Sequence, residues 1–279
     1  MIATKAATTA TRCALKTMCT LLAVLLVSQS SAWAQTDAGP GIPPGMASRL
    51  AAERMSTVLP GRYSAGENGV FILEPYGAAK YLLSFVGHTE NFVLTVERAS
   101  LGAKMLKYDT GATALRVSVW GGLTLYTQDA PQGAPATYQG TTPPSQALTI
   151  SVGELQTAVN NEASHLAYVQ NIALKFSADS AILTADPETR GRAFDALTNA
   201  AVGIERFLAA TPGARAILAK RINSVKVAEG GKPTIALLGQ MLLVSFVPGE
   251  GHEGHASSLA IQQELAKLLA LTPRELATK

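Results

Sequence analysis

Between Gly69 and Thr127 apolar and polar residues alternate, and the alternation is cut by one turn signal after another. Tyr81, Leu83 and Phe85 share one parity, as do Phe92, Leu94 and Val96, and Leu115, Val117 and Val119. Successive strand side chains point to opposite faces, so this period of two with β-branched and aromatic residues is strand behaviour. The turn signals are "ENG" at 67–69, "PYG" at 75–77, "GHTEN" at 87–91, "DTGA" at 109–112 and "GG" at 121–122. Strands are therefore expected near 69–74, 80–86, 92–98, 104–108, 114–120 and 123–127. A spacing of roughly 8–12 residues per strand restricts the chain to an antiparallel meander, as a small sheet or an open barrel.

The pattern changes after Thr127. Residues 128–147, "QDAPQGAPATYQGTTPPSQA", hold four prolines and two glycines and read as a linker, with a long loop inside one domain as the alternative. Beyond it, Ser151 and Glu154 have capping-box spacing, followed by Leu155, Val159 and Leu166 at helical intervals. "IALKFS" at 172–177 reads as a strand. Asp186-Pro187 opens the clearest helix, whose Phe194, Leu197, Ala201, Ile204 and Leu208 form one stripe. Thr211-Pro212 starts another helix through Arg221. Strands follow at 225–228, 234–238 and 241–247, and a last helix spans 258–271.

The expected fold class is α+β: an N-terminal antiparallel β-meander, then a mixed α/β half with a β-hairpin and a C-terminal helix. The expected segments are 1–34, a signal peptide; 35–60, a leader and short helix; 61–127, the meander; 128–147, the linker; and 148–279, the α+β domain.

The N-terminus carries Lys5, Arg12 and Lys16, then the apolar run "MCTLLAVLLV" at 18–27, then Ala32-Trp33-Ala34 before Gln35. This is the order of a secretory signal cleaved between Ala34 and Gln35. The apolar run is well short of the ~20 residues a helix needs to cross a bilayer. Cleavage removes three of the 23 basic residues and none of the 20 acidic ones, leaving a formally neutral chain. A neutral chain lacks the basic excess that drives nucleic-acid binding. Cys13 and Cys19 leave as well, so thiolate nucleophiles, thiolate metal sites and disulfides are excluded from the mature chain.

The nearest thing to a chemical signature is "GEGHEGHASS" at 249–258. His252, Glu253 and His255 are the candidate ligands of a divalent metal. A metalloprotease helix spells His-Glu-x-x-His, which sets both imidazoles on one face. Here the spacing is one residue shorter, and Gly249, Gly251 and Gly254 oppose a helix. The competing reading is a polar, flexible connector before the last helix. His165, three residues after Glu162, and His88, two before Glu90, read as a surface pair and a solvated turn residue. Arg215, Lys220, Arg221, Lys226 and Lys232 form a basic cluster suited to a solvated face or an anionic polymer. Carboxylate pairs such as Glu67/Glu74 and Asp179/Asp186 carry little signal. No nucleophile elbow, phosphate loop or dinucleotide fingerprint occurs, so no catalytic residue is assigned.

"ALRVSVWGGLTLYTQDAPQGAPA" at 114–136 and "HASSLAIQQELAKLL" at 255–269 together resemble an uncharacterised family of exported proteobacterial proteins with a domain of unknown function. The resemblance implies a Gram-negative envelope location and carries no catalytic residues. The expected function is that of a periplasmic or secreted, soluble, non-catalytic binding or envelope-accessory protein. Its expected partner is a small ligand or an envelope component, not nucleic acid, with no membrane span in the mature chain. A metal-dependent hydrolase using His252, Glu253 and His255 is the alternative.

Overall fold

The computed structural model describes residues 58–269. The expected signal segment, its Ala34/Gln35 junction, the leader, the short helix up to residue 57 and the last two residues of the expected C-terminal helix lie outside the described residues. Eight antiparallel strands come first: β1 (Gly61–Ser64), β2 (Val70–Pro75), β3 (Lys80–Phe85), β4 (Asn91–Arg98), β5 (Lys104–Lys107), β6 (Thr113–Val117), β7 (Leu123–Leu125) and β8 (Ala134–Gly140). Each pairs with the next, and β8 returns to β1, so the sheet is a closed barrel rather than an open one. Closure removes both edge strands. Phe71, Leu73, Leu83, Leu94, Leu106, Leu115 and Leu125 fill the interior, and the alternation along each strand is what points them there.

The stretch read as a linker is where the barrel closes. β8 occupies 134–140, and only its first half carries proline. That half pairs with β7, with Pro135 opposite Thr124, while Thr137, Tyr138 and Gly140 pair with β1. Pro135 thus has a ladder partner on one side only, the situation in which a strand tolerates a missing N–H. Proline and glycine content alone could not distinguish this strand from a linker.

The second half holds a four-stranded mixed sheet in the order β11-β12-β10-β9. Its strands are β9 (Lys175–Ala178), β10 (Ser224–Glu229), β11 (Thr234–Leu238) and β12 (Met241–Phe246). β10 runs parallel to both neighbours, and β11 and β12 form an antiparallel hairpin. The helices are α1 (Val152–Gln170), α2 (Ser180–Thr184), α3 (Pro187–Ala210), α4 (Ala214–Arg221) and α5 (Ser258–Leu269). Ser151 and Glu154 form the capping box that starts α1. Asp186 accepts from the Glu188 and Thr189 amides to start α3, and Asp179 caps α2. Asp179 and Asp186 are therefore helix caps, not a catalytic pair.

Helix α3 is the centre of this half. Ala196, Leu197, Ala200, Ile204 and Phe207 join a core with Val225, Val227, Leu242 and Val244 of the sheet and Ile261 and Leu265 of α5. A Cβ on Gly203 would lie 2.7 Å from the Ile261 side chain, so the missing side chain sets how closely α3 and α5 approach. Among the described residues, no helix is long and apolar enough to cross a membrane.

Candidate functional site

The barrel meets the α/β half along the segment that the sequence marks as unusual. After β12 the chain makes a 3-10 turn over Pro248–Gly254, then leads through His255 to the start of α5. Gly251 interrupts the turn at φ 58°, a conformation that favours glycine, and a Cβ there would lie 2.5 Å from the Tyr76 hydroxyl. A Cβ on Gly254 would lie 2.1 Å from the Val247 carbonyl oxygen. The glycines let this turn pack closely against β2 and its own entry strand. The segment is therefore a packed seam, not a solvated connector, and His255 is 7% exposed.

Two carboxylates from barrel turns fix the seam. Glu90 accepts from the Ser258 amide and hydroxyl, both at 2.6 Å. Asp109 accepts from the Ser257 amide at 3.0 Å and hydroxyl at 2.7 Å. Both anions lie at the N-terminus of α5, where unpaired N–H groups and the helix dipole favour negative charge. Burial pushes the Glu90 carboxyl above its ordinary range, against the pull of Ser258 and Arg206. Lys80 of β3 pairs with Glu253 at 2.5 Å, and the Tyr76 hydroxyl accepts from the His252 amide at 2.9 Å.

Lys80 thus ties up Glu253, whose carboxylate is not among the ligand atoms that converge with the histidines. Asp195 of α3 takes its place. One ligand atom each from Asp195, His252 and His255 lies within 4.8 Å of the others. Asp195 Oδ2 stands 3.8 Å from His255 Nε2, and both atoms are buried without a hydrogen-bond partner among the described residues. On its other side, the His255 ring meets the Asn199 amide nitrogen at 3.3 Å from Nδ1, and that nitrogen donates to the Ala256 carbonyl at 3.0 Å. Arg192 Nη1 lies 3.5 Å from Asp195 Oδ2, and 3.4 and 3.5 Å from the two ring nitrogens of His252. Burial, then neighbouring positive charge, lowers both imidazoles to about 4. Burial raises Asp195 to about 6 in spite of Arg192. Near neutral pH both imidazoles are therefore uncharged, and Asp195 is largely ionised.

A larger cavity, about 930 Å³, opens beside this cluster, between one rim of the barrel and helices α3 and α5. Phe85, Phe92, Tyr108 and Tyr126 line the barrel side, and Arg206 and Gln262 line the helical side. Phe92 and Tyr108 meet edge to face at 5.2 Å, and burial pushes the Tyr108 phenol up to about 12. Arg206 stands 4.0 Å from Glu90, and its buried Nε has no hydrogen-bond partner among the described residues.

The other sequence candidates fall elsewhere. His88 is exposed at the mouth of the large cavity. His165 pairs with Glu205 of α3 at 2.9 Å rather than with Glu162. Lys226 pairs with Asp179, and Arg221 donates to the Leu269 carbonyl at the end of α5. Glu74 holds Ser145 through its amide and hydroxyl. Sequence reasoning missed Arg192, Asp195 and Asn199. A signal for them exists: they recur at i, i+3 and i+7, a polar stripe along a helix otherwise rich in alanine and leucine.

A family model described as "Domain of unknown function (DUF4908)" matches residues 46–265. The chain belongs to the DUF4908 family. The DUF4908 match takes in the whole barrel, the mixed sheet and the Asp195, His252 and His255 cluster. It bears out the resemblance as far as a domain of unknown function. No curated protein and no solved structure matches the chain.

Proposed function

We propose that this DUF4908 protein is an exported binding protein, periplasmic or secreted, whose ligand seats in the cavity between the barrel rim and helices α3 and α5. The observation that carries the reading is Arg206, which lines a cavity of about 930 Å³ opposite an aromatic wall and whose Nε has no hydrogen-bond partner among the described residues. A cavity of that size, with an aromatic wall facing polar and charged side chains, suits a small amphipathic molecule. Phe85, Phe92 and Tyr108 suit a planar or acyl body, and the guanidinium suits an acidic group. The charged N-terminus, apolar run and Ala-x-Ala junction support export.

A suitable probe is 8-anilinonaphthalene-1-sulfonate, an aromatic anion followed by its own fluorescence. The expected result is saturable binding that weakens at least about tenfold in Arg206→Gln, from loss of a charge-assisted contact in a partly desolvated site. Binding indifferent to both Arg206→Gln and Tyr108→Ala places the probe elsewhere and overturns the reading. Export is tested separately, by N-terminal sequencing of secreted material, with Gln35 as the expected first residue.

A metal-dependent hydrolase using His252, Glu253 and His255 has weaker support, because Glu253 is paired with Lys80 and its carboxylate does not join the atoms that converge at the histidines.

A further inference from the structure

We infer that Asp195, His252 and His255 form a binding site for one divalent transition-metal ion of the zinc class. Three features carry the inference. The first is the donor set: two imidazole nitrogens and one carboxylate oxygen, gathered within 4.8 Å from two separate parts of the chain. Magnesium and calcium favour oxygen ligands, whereas mixed imidazole and carboxylate sites suit zinc and its neighbours. The second is the state of the donors. His255 Nε2 and Asp195 Oδ2 are buried 3.8 Å apart and lack hydrogen-bond partners among the described residues, with only the Arg192 guanidinium 3.5 Å from the carboxylate oxygen. A buried polar atom left unpaired in this way is costly, and a shared cation satisfies both at once.

The third is support behind the ligands. The Asn199 amide nitrogen stands 3.3 Å from His255 Nδ1 and donates to the Ala256 carbonyl at 3.0 Å, so α3 braces both the ring and the backbone beside it. The His252 backbone is anchored through its amide to Tyr76. A cavity of about 210 Å³ lined by Lys80, Asp109, Ser257 and both histidines opens on the cluster. That space suits a fourth position filled by water or by a ligand.

Arg192 is the feature that opposes a second cation. Its Nη1 is nearly equidistant from both ring nitrogens of His252, at 3.4 and 3.5 Å. In the ring plane such a position would press against Cε1, so the guanidinium lies over the ring face and leaves the lone pairs open. Arg192 also has a second partner, Glu188, one turn earlier on α3, with Nη2 at 3.7 Å. Metal entry therefore moves Arg192 from Asp195 towards Glu188. The guanidinium holds the cluster together without metal and weakens metal binding when metal arrives.

The test is a zinc titration of the chelator-treated full chain by calorimetry, repeated with cobalt to read coordination from its absorption. The expected result is one zinc per chain, with affinity lower by roughly a hundredfold in Asp195→Asn and in His255→Gln. Glu253→Gln leaves the affinity unchanged. Arg192→Met tightens binding by about tenfold, because a nearby positive charge is gone. Cobalt-loaded wild type gives the intense visible bands of a four- or five-coordinate site, a readout independent of whether any variant folds. The inference is overturned by any of three outcomes: no stoichiometric zinc in either wild type or Arg192→Met, binding that persists in the Asp195→Asn/His255→Gln double variant, or loss on Glu253→Gln as large as on Asp195→Asn.

Discussion

The carboxylate of Glu90 closes a two-pronged hydrogen bond on Ser258, 168 residues further along the chain, with both contacts at 2.6 Å. One prong holds the amide of the first residue of α5 and the other its hydroxyl, reinforcing the cap that Ser257 Oγ gives the Ala260 amide at 3.1 Å. With Asp109 on Ser257, this fastening ties the start of α5 to the barrel.

Removing Glu90 should therefore loosen both halves together. Glu90→Ala loses two charge-assisted bonds at the start of α5, for about 2 kcal/mol of stability. Urea denaturation followed by far-ultraviolet and by near-ultraviolet circular dichroism checks this. The two probes, one weighted to the helices and one to the tyrosines packed in the barrel such as Tyr63, should shift to the same lower midpoint. A shift in only one of them contradicts a shared fastening.

The same residue gives stability a pH dependence of defined sign. Burial raises the folded-state pKa of Glu90 above the ordinary 4.5, while Arg206 pulls it down and Asp109 pushes it up. The native state then holds a proton that the unfolded state has released, so this contribution to stability falls as pH rises from 4.5 through the folded pKa. Above that pKa it is constant. Glu90→Gln cannot titrate. The stability of wild type relative to Glu90→Gln should therefore decline with rising pH across that window, measured as urea midpoints in a pH series.

Gly203→Ala sets two effects against each other. Alanine is the better helix former by about 1 kcal/mol. The new Cβ would stand 2.7 Å from Ile261, and forcing two helices apart in a packed core costs roughly 1–3 kcal/mol. Overpacking should win, giving a lower melting temperature in a thermal scan. A raised melting temperature would mean that α5 shifts freely along α3.

His165 and Glu205 make the opposite case. Their 2.9 Å pair links α1 to α3, but the histidine side chain is 54% exposed. An ion pair open to solvent contributes under about 1 kcal/mol. His165→Ala should move the urea midpoint by less than any of the buried changes above.

Much of the fold is legible from local pattern, because strand alternation and helix caps are local signals. Leu83 and Leu94 face inward because their parity says so, and Ser151 and Asp186 start helices through bonds a few residues long. What escapes is long-range. Pro135 made β8 look like a linker, since its tolerance depends on which neighbour β1 reaches first. Glycines 251 and 254 suggested mobility, yet each marks a close approach to Tyr76 or Val247. His252 and His255 were visible as a pair, but their carboxylate was sought beside them at Glu253. It sits instead on α3 at Asp195, 57 residues before His252, where only a polar stripe hints at it.

The cap on α5 also bears on how the chain is made. A ribosome delivers Glu90 and Asp109 long before Ser257 and Ser258 exist, and an export channel would pass them across in the same order. Until the last helix emerges, the barrel holds two carboxylates aimed at amides that have not yet been synthesised. The visible break between a β half and an α/β half is thus a boundary of pattern and not of assembly. A fragment ending before Ser257 would carry all eight barrel strands and still be an unfinished molecule.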